Sequence, residues 1–302
     1  MLSATHLRRL FEHLHSIIDF SQVSEITLEA NPATFDLEKA QLFLALGVTR
    51  VSLGIQSFSP HALATLGREH SPEQASEAVS ILRAAGIPSV NIDLMFSIPG
   101  QSLEDWENTL RHAISLQPDH ISAYNLTYEE DTAFFESLRT GTFQESEDKD
   151  ADHYHLAEKL LYAAGFDHYE TSNYAQPGQH SRHNQGYWQG ADYLGLGPSA
   201  VSTIAGVRHK NISDTTAYIA RIHSLGNAIE ESEILSEAQR RIELIALGLR
   251  TTQGIPLNLL DSDALEKAHT LASENLLHIS ESHLALSALG RPLVDPIAAE
   301  LI

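Results

Sequence analysis

Short apolar runs alternate with helix-like segments along the first half of the chain, and this order constrains the fold more than any other feature. The runs are Glu25 to Leu28, Val51 to Ile55, Val90 to Phe96 and Ile121 to Leu126. Strands that alternate with helices imply βαβ units, a parallel sheet and right-handed crossovers. The sequence therefore predicts an α/β fold.

Polar residues lie near the end of each run: Glu29, Gln56 and Asp93, with Asn125 and Thr127 at the fourth. The carboxyl ends of parallel strands face the binding crevice. An open sheet collects its ligands mainly at one switch point, so polar residues at four successive strand ends favour a closed or partly closed barrel. A doubly wound open sheet is the structural alternative. Each polar residue taken alone could instead be solvated or cap the next helix.

The segments between the runs carry helix signals. Ser71 and Gln74 form a potential capping box, and Gly86 ends the helix that follows. Ser102 and Asp105 mark the start of another helix, and an acidic connection is predicted over Glu129–Asp152. The predicted helices of this half are Leu2–Ile18, Asp36–Leu46, Pro72–Ala85, Leu103–Ile114 and Asp150–Ala164.

The pattern changes from about Ile204 onward. Helical stretches are predicted around Arg221, and two longer helices at Ser236–Leu249 and Asp261–Leu271. Two short apolar runs follow, at Leu276–Ile279 and His283–Leu286. Two helices and a hairpin are typical of a winged-helix-like domain. We therefore predict a barrel domain over residues 1–204 and a small domain over 205–302. The second holds 8 Lys and Arg against 13 Asp and Glu, so nucleic acid is not an expected partner.

Composition narrows the function classes. The formal net charge is −21 with no basic cluster, which disfavours nucleic acid and anionic lipid surfaces. No apolar stretch approaches the roughly 20 residues that cross a bilayer, and the start lacks signal-peptide features, so a cytoplasmic location is expected. The chain contains no cysteine. It therefore supplies no disulfide, no thiolate zinc site, no cysteine nucleophile and no thiolate ligand for an iron–sulfur cluster.

Short sequence words stand at the strand ends and beyond them. They are EANP at 29–32, GIQSF at 54–58, LGR at 66–68, NIDL at 91–94, IPGQ at 98–101, HNQGYW at 183–188 and YLGLGPSA at 193–200. In this order they closely resemble the oxygen-independent coproporphyrinogen III oxidase-like radical S-adenosylmethionine (SAM) proteins, and among these the haem chaperones. The resemblance runs across essentially the whole chain.

The resemblance implies a partial (β/α) radical SAM barrel of TIM-like type that binds SAM at its strand ends, followed by a small winged-helix-like domain. By motif position, Glu29, Gln56, Arg68 and Asp93 match the SAM contacts of the family. Their chemistry is compatible with that role, because carboxylates accept hydrogen bonds from amino and hydroxyl groups and an arginine can clamp a carboxylate. A surface salt bridge is the alternative for Arg68.

The chain departs from the family at the cluster site. Members carry three cysteines spaced C-x-x-x-C-x-x-C and then a glycine-rich GGGTP turn, and this chain has neither. The resemblance begins at about Leu2 and Ser3, so the first one or two strand units of the barrel are expected to be missing; a misplaced start, a shortened chain and a natural truncation all fit. We expect no 5′-deoxyadenosyl radical from this chain, because a 4Fe–4S cluster must supply the electron. An exposed strand edge favours dimerisation or aggregation.

The word at 183–188 is the one that favours the haem chaperones. His183 is the candidate ligand of haem iron, with Tyr187 and Trp188 as rings that could stack on the macrocycle. His180 and His209 are rival ligands, and a solvated histidine is the structural alternative. Val201 stands where many relatives have a histidine, and Ser97 replaces a usual glycine.

The sequence thus predicts a haem chaperone that binds haem and transfers it to haem-dependent proteins. A peripheral contact with membrane respiratory enzymes and a dimer are further expectations. Two rivals remain, an oxygen-independent coproporphyrinogen III oxidase of porphyrin synthesis and a degenerate barrel kept as an interaction module. A zinc or iron hydrolase is disfavoured, because His153 and His155 lie two residues apart in a predicted helix and so point to different faces.

Overall fold

The computed structural model describes residues 2–127, 139–140 and 146–302. Most of the predicted connection Glu129–Asp152 therefore lies outside the described residues. Internal contacts divide the chain into two compact units, Met1–Arg182 and His183–Ile302. The predicted domain boundary after residue 204 lies further along the chain and stays a prediction.

The first unit alternates helices and strands, as predicted. Its elements are α1 Ala4–Ile17, β1 Thr27–Ala30, α2 Leu37–Ala45, β2 Arg50–Gln56, α3 Pro60–Thr65, α4 Pro72–Ala85, β3 Ser89–Phe96, α5 Leu103–Ser115, β4 His120–Asn125, α6 Glu147–Ala163, β5 Asp167–Glu170 and β6 Asn173–Ala175. The strands form one sheet in the order β1-β2-β3-β4-β6-β5.

The strand order decides between the two predicted architectures. Strands β1 to β4 are parallel and adjacent in chain order. Each βαβ unit therefore advances in the same direction, as in a barrel, whereas a doubly wound sheet reverses direction at a switch point. The prediction of a partial barrel is confirmed.

The sheet ends in a hairpin that the sequence analysis missed. Strands β5 and β6 pair with each other, and β6 pairs with β4, both antiparallel. They hold four and three residues, too few to show a clear period of two.

The helices cover one face of the sheet. Alternate residues of the parallel strands are fully buried there, and they pack against Leu82, Trp106 and Leu110 of the helices in a single apolar core. The strand residues in this layer are Val51, Leu53, Ile55, Val90, Ile92, Leu94 and Ile121. Such a layer is the main source of stability in a domain of this size.

Most helix signals are confirmed by the structure. Ser71 and Gln74 form the predicted capping box of α4, and Gly86 ends this helix with a φ of 83°. Ser102 and Asp105 form the capping box of α5. The buried side of α5 begins at Trp106, and Leu103 in the first turn, expected from the sequence to face inward, is 44% exposed.

The second unit contains two small antiparallel sheets and five helices among its described elements. The elements are α7 Arg182–Trp188, whose first residue belongs to the first unit, β7 Val201–Ile204, β8 Val207–Asn211, α8 Thr215–Leu225, β9 Ile229–Ile234, α9 Glu237–Leu249, β10 Ile255–Pro256, α10 Ser262–Ser273, β11 Leu277–Ile279, β12 His283–Leu286 and α11 Val294–Leu301.

The predicted succession of two helices and a hairpin is present as α9, α10, β11 and β12. Strand β10 adds to the hairpin in the order β10-β12-β11, and α11 closes the core. Helix α8 lies in the helical stretch predicted around Arg221, whereas the sheet β7-β8-β9 was not predicted. Among the described residues, no helix has both the length and the apolar character that crossing a membrane requires.

Candidate functional site

A cleft of about 800 Å³ opens at the carboxyl ends of β1 to β4. Glu29, Gln56, Arg68 and Asp93, the four residues predicted from motif position, all line it. Their places follow from the fold, since Glu29, Gln56 and Asp93 lie on three adjacent strands and Arg68 follows α3. The volume is within the range of about 300–1,000 Å³ of small-molecule pockets.

Gln56 is held in an unusual backbone conformation at the end of β2. Its φ is 69°, and the register of β2 against β3 shifts between Gly54 and Gln56. A Cβ atom on Gly54 would come within 3.0 Å of Asn31 Oδ1 and 3.3 Å of Gln56 Nε2. Gly54 therefore leaves room for both amide side chains at the cleft, and the strained conformation marks a site that the surrounding structure must enforce.

Arg68 points into the cleft from the turn after α3. Its Nη1 donates to Asn31 Oδ1 at 3.2 Å. No ion pair joins Arg68 to a carboxylate of the described residues, so the predicted alternative of a surface salt bridge is not observed there. A guanidinium with remaining donors can bind a ligand carboxylate in bidentate fashion.

Asp93 lies deeper, on β3. Its Oδ2 accepts from Ser52 Oγ at 2.9 Å and its Oδ1 accepts from Asn91 Nδ2 at 2.7 Å. Burial raises the pKa of the Asp93 carboxyl, although hydrogen bonds from Ser52, Asn91 and Ser122 and the nearby charge of Arg50 act in the opposite direction. The carboxylate keeps lone pairs for a hydrogen-bond donor in the cleft.

A buried polar layer beneath Asp93 was missed by the sequence analysis. Asn91 and His120 are fully buried, and Ser52 and Ser122 are nearly so. A signal was present, because polar residues recur at every second position inside runs that were interpreted as apolar throughout. Asn91 and Asp93 in one run, and Ser122 and Tyr124 in the next, show the period of two that marks the second face of a strand,.

The candidate haem word forms α7. His183 is exposed, and its ring meets that of Tyr187 edge to face at 4.9 Å. Tyr187 in turn contacts Tyr193, with ring centroids 4.6 Å apart. Trp188 is half-buried at the end of the helix. The second unit thus presents an accessible imidazole at the end of a row of aromatic rings.

The two rival histidines are less accessible. His180 stacks on Tyr169, with centroids 4.1 Å apart and an interplanar angle of 7°. On β8, the Nδ1 of His209 is buried and has no hydrogen-bond partner among the described residues. Neither imidazole is as exposed as that of His183.

His153 and His155 were predicted to point to different faces of one helix, and both lie on α6. His153 is buried, its ring parallel to that of Phe96, whereas the side chain of His155 is 49% exposed beside Glu158. Across residues 2–127, 139–140 and 146–302, no group of three His, Cys, Asp or Glu side chains could hold a metal ion.

Comparisons with known proteins match this fold. The model of the Radical SAM superfamily matches residues 3–113, and that of the HemN C-terminal domain matches residues 235–293. Coproporphyrinogen III oxidase (HemN) from Escherichia coli has a solved structure that superposes with a TM-score of 0.84 over 99% of this chain and 74% of its own, at 22% identity. The fold is therefore that of a radical SAM protein of the HemN type.

Curated relatives define the family more narrowly. The heme chaperone HemW of Mycobacterium tuberculosis is 34% identical over 303 residues, which cover 100% of this chain and 78% of the relative. HemW of Bacillus subtilis is 30% identical, with 98% and 81% covered, and HemW of Escherichia coli is 34% identical, with 85% and 67% covered. The chain belongs to the HemW family.

The cleft suits one cofactor of this family and not the other. SAM carries an amino group, a carboxylate and ribose hydroxyls, and the lining supplies carboxylates for the donors and Arg68 for the carboxylate,. A 4Fe–4S cluster needs thiolate ligands, and these 302 residues contain no cysteine. The residues present do not fit the cluster.

Proposed function

We propose that this chain is a haem chaperone that binds haem at α7 and transfers it to haem-dependent proteins. The observation that carries the proposal is the similarity to proteins named heme chaperone HemW, which extends over 100% of this chain and 78% of the relative from Mycobacterium tuberculosis. The exposed imidazole of His183 at the end of an aromatic row supports it. Imidazole is a common haem ligand, and aromatic rings pack well on a flat macrocycle.

His183 supplies the iron ligand in this proposal. Tyr187 and Trp188 contact the porphyrin, and the ring of Tyr193 packs against that of Tyr187. Because His183 lies on the surface of a seven-residue helix, bound haem stays partly accessible. A partly accessible haem can be passed on, which a chaperone requires.

The cleft of the first unit holds SAM in the same proposal. Asp93 and Glu29 accept hydrogen bonds from its ribose and amino groups, Gln56 donates and accepts, and Arg68 clamps the methionine carboxylate. A SAM molecule together with a 4Fe–4S cluster supplies a 5′-deoxyadenosyl radical. No such step is assigned here, because the cluster ligands are absent from these residues.

Titration with haemin tests the haem site. Wild-type protein should give a saturable Soret change at one haem per chain, and His183→Ala should weaken the affinity at least about tenfold through loss of the axial ligand. His223→Ala is the matched control, since His223 is also exposed on a helix of the second unit. A non-saturable change in the wild type, or equal curves for His183→Ala and wild type, would reject this site.

The proposed partners are haem and haem-accepting proteins. A dimer is supported by strand β1, which pairs on one side only among the described strands, and light scattering after gel filtration measures it. Peripheral contact with membrane respiratory enzymes and a cytoplasmic location follow from the sequence analysis alone. Flotation with membranes that contain those enzymes tests the contact.

The coproporphyrinogen III oxidase rival is supported by the fold alone, since the HemN structure is 22% identical. This chain would be fused to an upstream segment that carries the three cysteines and loaded with a cluster. Anaerobic decarboxylation of coproporphyrinogen III by that protein would favour the oxidase. A degenerate interaction module would bind neither haem nor SAM. The oxidase and the interaction module are thus distinguished from the chaperone by these assays.

A further inference from the structure

A continuous set of hydrogen bonds crosses the interior of the first unit and ends on Asp93. It joins Ser181, Tyr169, His120, Asn91 and Asp93, which come from four different segments of the chain. Ser181, His120 and Asn91 are at most 1% exposed. A polar layer of this kind is costly unless each member is satisfied, and apolar side chains of similar size would be at least as stable. A role other than stability therefore accounts better for this layer.

The orientation of Asn91 follows from its neighbours. Its Nδ2 donates to Asp93 Oδ1 at 2.7 Å and to Ser52 Oγ at 2.6 Å. A flipped amide would place its oxygen against the carboxylate of Asp93, where two acceptors would repel. Asn91 Oδ1 therefore faces His120 and can only accept a hydrogen bond.

The tautomer of His120 follows in turn. Its Nδ1 lies 2.5 Å from Asn91 Oδ1, so Nδ1 must carry the proton. Burial, followed by the charges of Arg50 and His180, holds the pKa of His120 well below its usual value. The ring is therefore neutral, and its Nε2 is an acceptor.

Tyr169 completes the set. Its hydroxyl lies 2.7 Å from His120 Nε2, and it accepts from the Ser181 backbone N–H at 3.2 Å. Burial raises the pKa of the Tyr169 phenol, so the phenol stays protonated and donates to His120. Every hydrogen bond from Ser181 to Asp93 thus donates in the same direction, and hydrogen bonds aligned in this way polarise and strengthen one another.

We propose that Tyr169, His120 and Asn91 form a hydrogen-bond relay that positions the Asp93 carboxylate to accept hydrogen bonds from a nucleoside ligand in the cleft. This inference rests on the proposed SAM cleft and adds three positioning residues to it. Asn91 fixes the rotation of the carboxylate, and His120 and Tyr169 fix Asn91. None of the three is among the residues that line the cleft, so they act on binding through the lining residues that Asn91 contacts. Of these, Asp93 accepts directly from Asn91 at 2.7 Å and is the one whose contribution the double-mutant cycle isolates.

A double-mutant cycle with S-adenosylhomocysteine (SAH) tests the relay, because this ligand needs no cluster. Isothermal titration should show about tenfold or more weaker binding for Asn91→Leu and a smaller, roughly threefold loss for Tyr169→Phe, which removes one hydroxyl at the far end. In the Asp93→Asn background, the same changes should alter the affinity less than about twofold. Tyr162→Phe, at a tyrosine that is 78% exposed, should bind as wild type.

The outcomes separate the inference from the proposed function. Absence of SAH binding by the wild type overturns the cofactor cleft and the relay together. Binding by the wild type with equal losses in both backgrounds, or with no loss for Asn91→Leu, overturns the relay alone. If Asn91→Leu does not fold, Tyr169→Phe gives the same comparison.

The tautomer provides a second, independent readout. Nitrogen-15 NMR of the histidine rings should show His120 as the neutral Nδ1–H form in the wild type. Asn91→Leu removes the acceptor for that proton, so the Nδ1–H form should lose its preference. An Nε2–H or doubly protonated ring in the wild type at neutral pH would contradict the directional relay.

Discussion

The two faces of the parallel sheet are formed by the same strands, yet one face carries apolar side chains and the other carries polar ones. The face toward the helices is apolar and dry, with Leu53, Ile92 and Leu94 fully buried. The face toward the cleft carries Ser52, Asn91, Asp93, His120 and Ser122, joined by hydrogen bonds. Because side chains alternate along a strand, each residue step changes from one environment to the other.

The difference separates stability from binding. Burial of each large apolar side chain on the helix face stabilises the fold by about 1.5–3 kcal/mol. Burial of polar groups on the cleft face gives little net stability and is unfavourable wherever a partner is lacking. We therefore expect substitutions on the helix face to change the free energy of unfolding and substitutions on the cleft face to change ligand affinity.

The largest effect is expected on the helix face. Leu53→Ala should lower the free energy of unfolding by about 2–5 kcal/mol, because it removes buried contacts and leaves a cavity. Urea denaturation followed by circular dichroism measures it, with Leu44→Ala, at a residue that is 39% exposed, as the control of smaller effect. The folded fraction should still bind SAH with wild-type affinity, and a loss of affinity there would break the comparison.

The next effect concerns the cleft face. Asp93→Asn should weaken SAH binding by about 1.5–3 kcal/mol, the value of a hydrogen bond to a charged group. Its melting temperature should stay equal or rise, since the cost of a buried carboxylate is removed. Calorimetry measures both quantities, and Glu77→Gln on the exposed side of α4 serves as the control. A marked drop in melting temperature without loss of affinity would contradict the division between the faces.

The pH dependence should also differ between binding and stability. Because burial raises the pKa of Asp93, protonation begins above the usual range for Asp, near 3.9. SAH affinity of the wild type should therefore fall as the pH decreases through that raised pKa, and Asp93→Asn should lack this component. The folded state takes up this proton more readily than the unfolded chain, so the destabilising contribution of Asp93 should disappear over the same pH interval. Parallel pH profiles of affinity and stability for the two proteins check both signs.

The smallest effect is expected at the turn after β3. Ser97 has a φ of 58°, and its Oγ is buried with no hydrogen-bond partner among the described residues. Ser97→Gly should stabilise the protein by about 1 kcal/mol, because it relieves a left-handed backbone and removes an unsatisfied hydroxyl. Ser80→Gly, inside α4, should instead destabilise by about 1 kcal/mol. Equal effects in thermal denaturation would show that the backbone at residue 97 is not strained.

Sequence patterns were sufficient for the alternating part of the fold. Helix α4 carries its own capping box and terminal glycine, and every second residue of β3 from Val90 to Phe96 is apolar, so local signals and tertiary structure agree. Ser97 has a positive φ, a conformation that glycine adopts without steric cost, in agreement with the glycine that the family resemblance leads one to expect there. The short strands β5 to β9 escaped prediction, because their pairing depends on contacts between distant segments and not on their own periodicity.

The residues that line the cleft could be predicted from the sequence, whereas the buried residues beneath Asp93 could not. Glu29, Gln56, Arg68 and Asp93 lie in recognisable words at strand ends, and the structure places them around one cleft. His120 and Tyr169 lie 49 positions apart, and nothing in the sequence near either residue indicates that they meet. Asn91 was visible as a polar residue within an apolar run, but its role depends on partners that only the fold brings together.

Transfer of haem is the most direct test of the central claim. Haem-loaded protein would be mixed with an excess of a b-type haem protein in its apo form, and the Soret band of the acceptor would be followed in time. A chaperone should bind one haem per chain and then release it to the acceptor, while His183→Ala should carry little haem to transfer. Failure of the wild type to take up haem saturably, or retention of haem in the presence of the acceptor, would contradict the account.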